Sequence, residues 1–281
     1  MSDRKQRVRA VGVVLILASL FSWSAAEAAA PGNLAGNSDT IGLYHFGLHE
    51  FRLRQSNSTG NADIVVKFGQ DGDLPITGDW DGDGDTDVGV FRPATGQFLL
   101  RLRVRFHPIT VTTTFLGEPG DLPVIGDWDG DGVDTFGVYR DNGATLPVFF
   151  LTNSTAADGA VLKVDSQIFV GEPGDLPLSG DFDGDGRDTL AIYRPTNALF
   201  FIVNALGGLG FGFRFGRIGD LPFTGDWNGD GKDGVGVFRP TDKTMHLTNF
   251  FGFASFLEFS YPELGDVPVS GNWEEPLLVL P

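Results

Sequence analysis

The sequence predicts an all-β fold, and three observations carry that prediction. A segment running from Asp73 to Pro93 recurs down the chain, no stretch after the first thirty residues repeats its apolar positions at helical spacing, and the two chain ends hold complementary pieces of one repeat. Composition agrees: 40 glycines and 16 prolines among 41% hydrophobic residues, with 25 phenylalanines, describe a chain that turns often and still has apolar material for a core.

The repeat reads Asp73-Leu-Pro-Ile-Thr-Gly-Asp79-Trp-Asp-Gly-Asp-Gly-Asp-Thr-Asp-Val-Gly-Val-Phe-Arg92-Pro93. Further copies open at Asp121, Asp175, Asp220 and Asp266, and the central Gly-Asp pair returns at Asp127, Asp181 and Asp226 before a degenerate Gly271-Asn272. The period is roughly 45 to 54 residues, which is that of a propeller blade. Within one period four strand-like runs, Leu122–Asp127, Thr135–Arg140, Leu146–Thr152 and Val161–Gly171, are separated by clusters of Gly, Pro, Asp and Asn. Four strands make one blade.

Residues 39–45 match the second strand of the repeat with no first strand before them, whereas Asp266–Asn272 supplies a first strand with no full blade after it. The termini are therefore expected to share a blade, which closes the ring and leaves no open sheet edge. The expected architecture is a β-propeller of five four-stranded blades. The apolar run Leu277–Leu280 competes as a second strand or adds an extra one, and the sequence leaves this open.

Residues 1–28 read as a signal peptide, with residues 32–281 as one propeller domain. Arg4, Lys5, Arg7 and Arg9 precede an apolar stretch from Ala10 to Trp23, and Ala26-x-Ala28 fits a signal-peptidase site. The apolar stretch is shorter than the ~20 residues a spanning helix needs, which favours export over an N-terminal anchor. A secreted, periplasmic or cell-surface location follows, with no membrane span after cleavage. The net charge of −17 argues against nucleic acid or an anionic membrane as partner, because both would be repelled. There is no cysteine, so disulfides do not hold this exported domain together.

The chemistry sits between first and second strands. Four loops carry Asp79-x-Asp81-x-Asp83-Gly-Asp85-x-Asp87, Asp127-x-Asp129-x-Asp131-Gly-Val133-Asp134, Asp181-x-Asp183-x-Asp185-Gly-Arg187-Asp188 and Asp226-x-Asn228-x-Asp230-Gly-Lys232-Asp233. Oxygens at positions 1, 3 and 5, glycine at 6 and a backbone carbonyl at 7 form the first half of the EF-hand scheme, and hard oxygens select calcium over zinc. About four Ca2+ sites are expected. The alternative is that the aspartates only close tight turns onto their own backbone. Three acidic residues within five positions in three loops, and two in the fourth, repel one another without a cation, which favours the metal.

The motif Gly-Asp-Trp-Asp-Gly-Asp-Gly followed by Gly-Val-[Phe/Tyr]-Arg resembles the FG-GAP/VCBS repeats, which are similar to the blades of the integrin α-subunit propeller. Phe68-Gly69 and Phe215-Gly216 keep the phenylalanine-glycine pair, whereas Phe115-Leu-Gly117 and Phe169-Val-Gly171 loosen it. The resemblance implies calcium held by side chains at positions 1, 3, 5 and 9 and the carbonyl at 7. Only the first loop fits fully, through Asp87. The others carry Thr135, Thr189 or Gly234 at position 9 and an aspartate at 8, so their last ligand is left open between that shifted carboxylate and water.

Trp80, Trp128, Phe182, Trp227 and Trp273 occupy position 2 and are expected to pack between blades rather than to stack on sugars. Arg92, Arg140, Arg194 and Arg239 end second strands and Asp73, Asp121, Asp175, Asp220 and Asp266 open first strands, a pattern read as ion pairs bridging blades. No catalytic residue is assigned. His45, His49, His107 and His246 stand at unrelated repeat positions and no nucleophile elbow is present. The expected function is an extracellular binding or adhesion module with a glycan or protein partner. A purely structural calcium-stabilised module and a propeller-type glycoside hydrolase with paired carboxylates are the alternatives.

Overall fold

The structure is a computed structural model that describes residues 38–102, 110–143, 146–203, 210–251, 255, 257–263 and 265–273. All of these lie in the compact unit Leu34–Pro281. The signal-peptide reading, His107 and the Leu277–Leu280 run fall outside the described residues.

Strands, numbered in chain order, fill the described residues, and no helix occurs among them. They form five antiparallel blades. Blade 1 joins the last strand, β21 (Val267–Gly271), to β1 (Thr40–His45), β2 (Glu50–Leu53) and β3 (Ile64–Lys67). Blade 2 holds β4 (Leu74–Gly78), β5 (Asp87–Arg92), β6 (Gln97–Leu102) and β7 (Thr110–Phe115). Blade 3 holds β8 (Leu122–Gly126), β9 (Thr135–Arg140), β10 (Val148–Leu151) and β12 (Ser166–Phe169). Blade 4 is β13 (Leu176–Gly180), β14 (Thr189–Arg194), β15 (Leu199–Val203) and β16 (Phe211–Arg214), and blade 5 is β17 (Leu221–Gly225), β18 (Gly234–Arg239), β19 (Thr244–Thr248) and β20 (Leu257–Ser260). The inner strands touch in the cycle β4, β8, β13, β17, β21 and back to β4, which is a closed five-bladed propeller.

The termini share blade 1 as expected. Thr40 pairs with Gly271 and Tyr44 with Val267, so the last strand of the chain is the innermost strand of the blade that the first three strands begin. Closure costs no covalent bond and removes both exposed edges that an open ring would present.

The second strand of every blade is buried along most of its length on both faces, which is why β1, β5, β9 and β14 read as near-continuous apolar runs. The position-2 aromatics fill the seams. Trp80 packs with Phe136 and Val138 of blade 3, Trp128 with Leu190 and Ile192 of blade 4, and Phe182 with Val235 and Val237 of blade 5. Trp227 packs with Ile41 and Leu43 of blade 1, and Trp273 with Val88 and Val90 of blade 2, which completes the circle. All five are at most 7% exposed, so inter-blade packing is their role and a sugar-stacking face is not. Burying such side chains stabilises each seam by roughly 1.5–3 kcal/mol apiece.

Two details differ from the sequence reading. The recurrent Arg–Asp pairs lie within blades rather than across them: Arg140 Nε and Nη2 each donate to Asp121 at 2.8 Å, where Asp121 opens β8 and Arg140 ends the adjacent β9. The same fork joins Arg92 to Asp73, Arg194 to Asp175 and Arg239 to Asp220. The nineteen-residue offset spans one hairpin, so both partners arrive on the same sheet. The second difference concerns Val161–Gly171. Only Ser166–Phe169 forms the outer strand of blade 3, while Ala160–Val161 (β11) runs parallel to Thr114–Phe115 and extends blade 2 to five strands. The insert between β10 and β12 thus straps blade 3 to its neighbour.

Candidate metal centres

Each acidic loop starts where an inner strand ends. Asp79 follows Gly78 and turns its carboxylate into its own loop, where Oδ1 accepts from the Gly82 and Asp83 amides at 2.7 and 3.2 Å and Oδ2 accepts from Gly84 at 2.8 Å. Asp127, Asp181 and Asp226 repeat these three bonds in their own loops, from 2.7 to 3.2 Å. The position-5 carboxylate then caps the amide of position 7 at 3.0 Å in all four loops. One backbone shape has been built four times.

That shape gathers the carboxylates. Asp79, Asp81 and Asp83 can each place one oxygen within 4.8 Å of the others, as can Asp127, Asp129 and Asp131, and Asp181, Asp183 and Asp185. Partial burial and repulsion from Asp83 and Asp79 hold the Asp81 carboxyl above its usual range, the opposite of what a paired carboxylate shows. In the fourth loop Asn228 replaces the central aspartate. Its Nδ2 donates to Asp230 at 2.9 Å, while its Oδ1 is buried with no hydrogen-bond partner. A buried acceptor left unmade costs about 1–3 kcal/mol, and a hard cation shared with Asp226 and Asp230 would satisfy it.

Position 7 is occupied by Asp85, Val133, Arg187 and Lys232, an acid, an apolar residue and two bases. Side chains so unlike cannot share one ligand role. Their common group is the backbone carbonyl, which is what a calcium loop uses there.

The residues after position 7 separate. Asp87 is buried at the start of β5, opposite Gly78 in the ladder. Asp134, Asp188 and Asp233, at position 8, instead reach the preceding blade. Asp134 Oδ2 accepts from the Asp79 amide at 2.8 Å, Asp188 from Asp127 at 3.0 Å and Asp233 from Asp181 at 2.9 Å. Their own amides donate back to the carbonyls of Asp79, Asp127 and Asp181, each at 2.8 Å. Each position-8 aspartate is thus a two-bond latch onto the first residue of the neighbouring loop.

The sequence reading missed the two members that complete this ring. Asp39, just before β1, latches Asp226 by the same two bonds at 2.9 and 2.8 Å. In the first loop Thr86 takes the place of the aspartate: its amide donates to the Asn272 carbonyl at 2.7 Å and its Oγ1 accepts from the Asn272 amide at 2.9 Å. The shared Asp-Thr at the start of β1, β9 and β14, with the aspartate just outside the strand, was the available signal. The glycine that ends each inner strand makes the approach possible, since a Cβ on Gly126 would stand 2.7 Å from Asp188 Oδ2.

Asp39, Thr86, Asp134, Asp188 and Asp233 line the central channel together with the five inner strands. The channel encloses about 410 Å³, room for on the order of ten waters at ~30 Å³ each. Desolvation in this wall, with repulsion from neighbouring aspartates, pushes the Asp39 carboxyl up to about 6 and Asp134 to about 7, and lifts Asp188 and Asp233 well above the usual range. Backbone amides of the preceding loop oppose the rise without cancelling it.

The three described histidines stand apart from the loops. His45 faces Asp266 at 3.6 Å, His49 meets Asp71 at 2.9 Å, and His246 meets Arg239 at 2.7 Å within blade 5. No helix among the described residues is long and apolar enough to cross a membrane. Compared with known proteins, the chain matches no protein-family model and no curated protein.

Proposed function

We propose that this chain is an exported calcium-binding β-propeller of the FG-GAP/VCBS repeat kind, acting outside the cell as a binding or adhesion module for a glycan or protein. One observation carries the calcium reading: the same loop backbone collects carboxylate oxygens at positions 1, 3 and 5 in three blades, and in the fourth, where Asn228 stands at position 3, its amide oxygen is a buried acceptor with no protein partner. Asp79, Asp81 and Asp83 would hold the first ion, with Asp127, Asp129 and Asp131, then Asp181, Asp183 and Asp185, then Asp226, Asn228 and Asp230 holding the others. The carbonyls of Asp85, Val133, Arg187 and Lys232 complete each set. Calcium would supply charge neutralisation that the protein lacks, and its binding free energy adds to folding in a domain without disulfides.

A binding role is preferred to a catalytic one because the acidic residues that stand out in the sequence have structural partners: the loop amides, the Arg forks and the latches. The test is thermal unfolding of the purified chain in EDTA and in millimolar calcium, with calorimetric titration to count ions. A higher melting temperature in calcium with about four ions bound is expected. An unchanged melting temperature and no heat of binding would leave the loops as turns alone.

A further inference from the structure

We infer that the calcium loops bind their ions with positive cooperativity, because one peptide group belongs to two neighbouring loops at once; the inference rests on the calcium reading above. The peptide joining Val133 to Asp134 carries the position-7 carbonyl of the second loop. Its N–H donates to the carbonyl of Asp79, the first ligand residue of the first loop, at 2.8 Å. The Arg187–Asp188 peptide stands in the same relation to Asp127, and Lys232–Asp233 to Asp181. A cation drawing on the carbonyl of such a peptide polarises its N–H and strengthens the bond that fixes the neighbouring loop, as in any chain of hydrogen bonds.

Two further contacts run between the same loops. The position-8 carboxylate returns a bond to the amide of the neighbour's first ligand residue. The position-4 glycine of each loop also abuts the position-7 residue of the next: a Cβ on Gly82 would lie 3.0 Å from Val133 Cγ2, one on Gly130 2.9 Å from Arg187 Cγ, and one on Gly184 2.9 Å from Lys232 Cγ. Backbone, side chain and van der Waals contact therefore tie the first loop to the second, the second to the third and the third to the fourth. Both ends of this chain of loops are anchored in blade 1, through Thr86 on Asn272 and Asp39 on Asp226. An ion that orders one loop orders the position-1 residue of the preceding loop, so that neighbour binds with part of its ordering cost already met.

Electrostatics acts in the other direction. A filled loop presents less negative potential to its neighbour, which alone makes successive ions bind more weakly, an effect screened beyond about 8 Å at physiological salt. The sign of the cooperativity therefore separates the hydrogen-bonded coupling from simple charge repulsion.

The test is a calcium titration of the calcium-stripped chain at physiological salt, read by calorimetry and by emission of the loop tryptophans Trp80, Trp128 and Trp227. A Hill coefficient above 1 is expected. Two variants locate its origin. Asp183→Asn with Asp185→Asn disables the third loop while keeping oxygen acceptors for its turn; one ion should be lost and the second and fourth loops, left untouched, should bind at least about fivefold more weakly. Asp188→Ala removes the side-chain latch between the second and third loops; four ions should still bind with a lower Hill coefficient, and Asp188→Asn, whose amide oxygen can accept from Asp127, should restore the wild-type value. A Hill coefficient at or below 1 in the unmodified chain, or undiminished affinity of the remaining loops in the double variant, would overturn the coupling while leaving four independent calcium sites intact. Absence of any calcium binding would instead overturn the calcium reading and the coupling with it.

Discussion

At the scale of single residues, the loops divide into positions that hold shape and positions that hold charge. Gly132 has φ of +84° and open space around it, so an alanine there meets no atom and pays only in backbone conformation. Gly132→Ala is expected to destabilise the fold by about 1–2 kcal/mol in chemical denaturation, from the left-handed backbone alone. Asn228 tests the charge side. Asn228→Asp adds a third carboxylate to the fourth loop and removes an amide whose oxygen has no partner. It should raise that loop's calcium affinity and lower stability in EDTA through repulsion with Asp226 and Asp230, both measurable by calorimetric titration and thermal unfolding. Positions 1 to 7 were legible in the sequence because spacing and residue type together specify a turn. Position 8 was not: Asp134 stood as a candidate last ligand of its own loop, and only the neighbouring blade decides that it leaves that loop for Asp79.

At the scale of elements, a hairpin is fastened at one end by the Arg–Asp fork and at the other by the acidic loop. Asp121 is 2% exposed and also accepts from the Glu118 amide at 2.8 Å, so removing it leaves Arg140 with only the exposed Glu118 carboxylate at 3.0 Å and frees a turn. Asp121→Ala should cost about 2–3 kcal/mol, below the figure for a fully buried pair because Arg140 is partly open to solvent; denaturant unfolding with an unchanged m value would check it. Blade 1 departs from the rule, since His45 stands where the other blades have arginine and reaches Asp266 only at 3.6 Å. The four long strands of the repeat were legible because they alternate with strong turn residues. The two-residue β11 was not. Its pairing with β7 depends on where the insert after β10 lands in space, and its side chains record no period: Val161 is 81% exposed.

At the scale of the whole molecule, four of the five inner-strand seams carry a hydrogen bond at one height of the ring. Thr77, Ser179, Thr224 and Ser270 each donate a side-chain hydroxyl to the backbone carbonyl of the adjacent inner strand, and Ile125 occupies the fifth position. Below this belt sit the latch carboxylates of Asp39, Asp134, Asp188 and Asp233, and they set the pH dependence of the fold. Their folded-state pKa values stand above the ordinary 3.8, at about 6 for Asp39 and about 7 for Asp134, so across that interval the folded protein holds protons that the unfolded chain has released. Their contribution to stability is therefore greatest below about pH 4 and is lost as pH rises through about 6 to 7. In EDTA, where no ion can be released by protonation of the loops, the melting temperature should rise as pH falls from about 8 to about 5. Neutralising the ring while keeping its acceptors, with Asp134→Asn and Asp188→Asn together, should flatten that slope and raise the melting temperature at the alkaline end, because the amide oxygens can still accept from Asp79 and Asp127. A melting temperature that falls steadily over the same interval would mean that the latches are held as stable carboxylates, their bonds to the neighbouring loops outweighing burial and mutual repulsion.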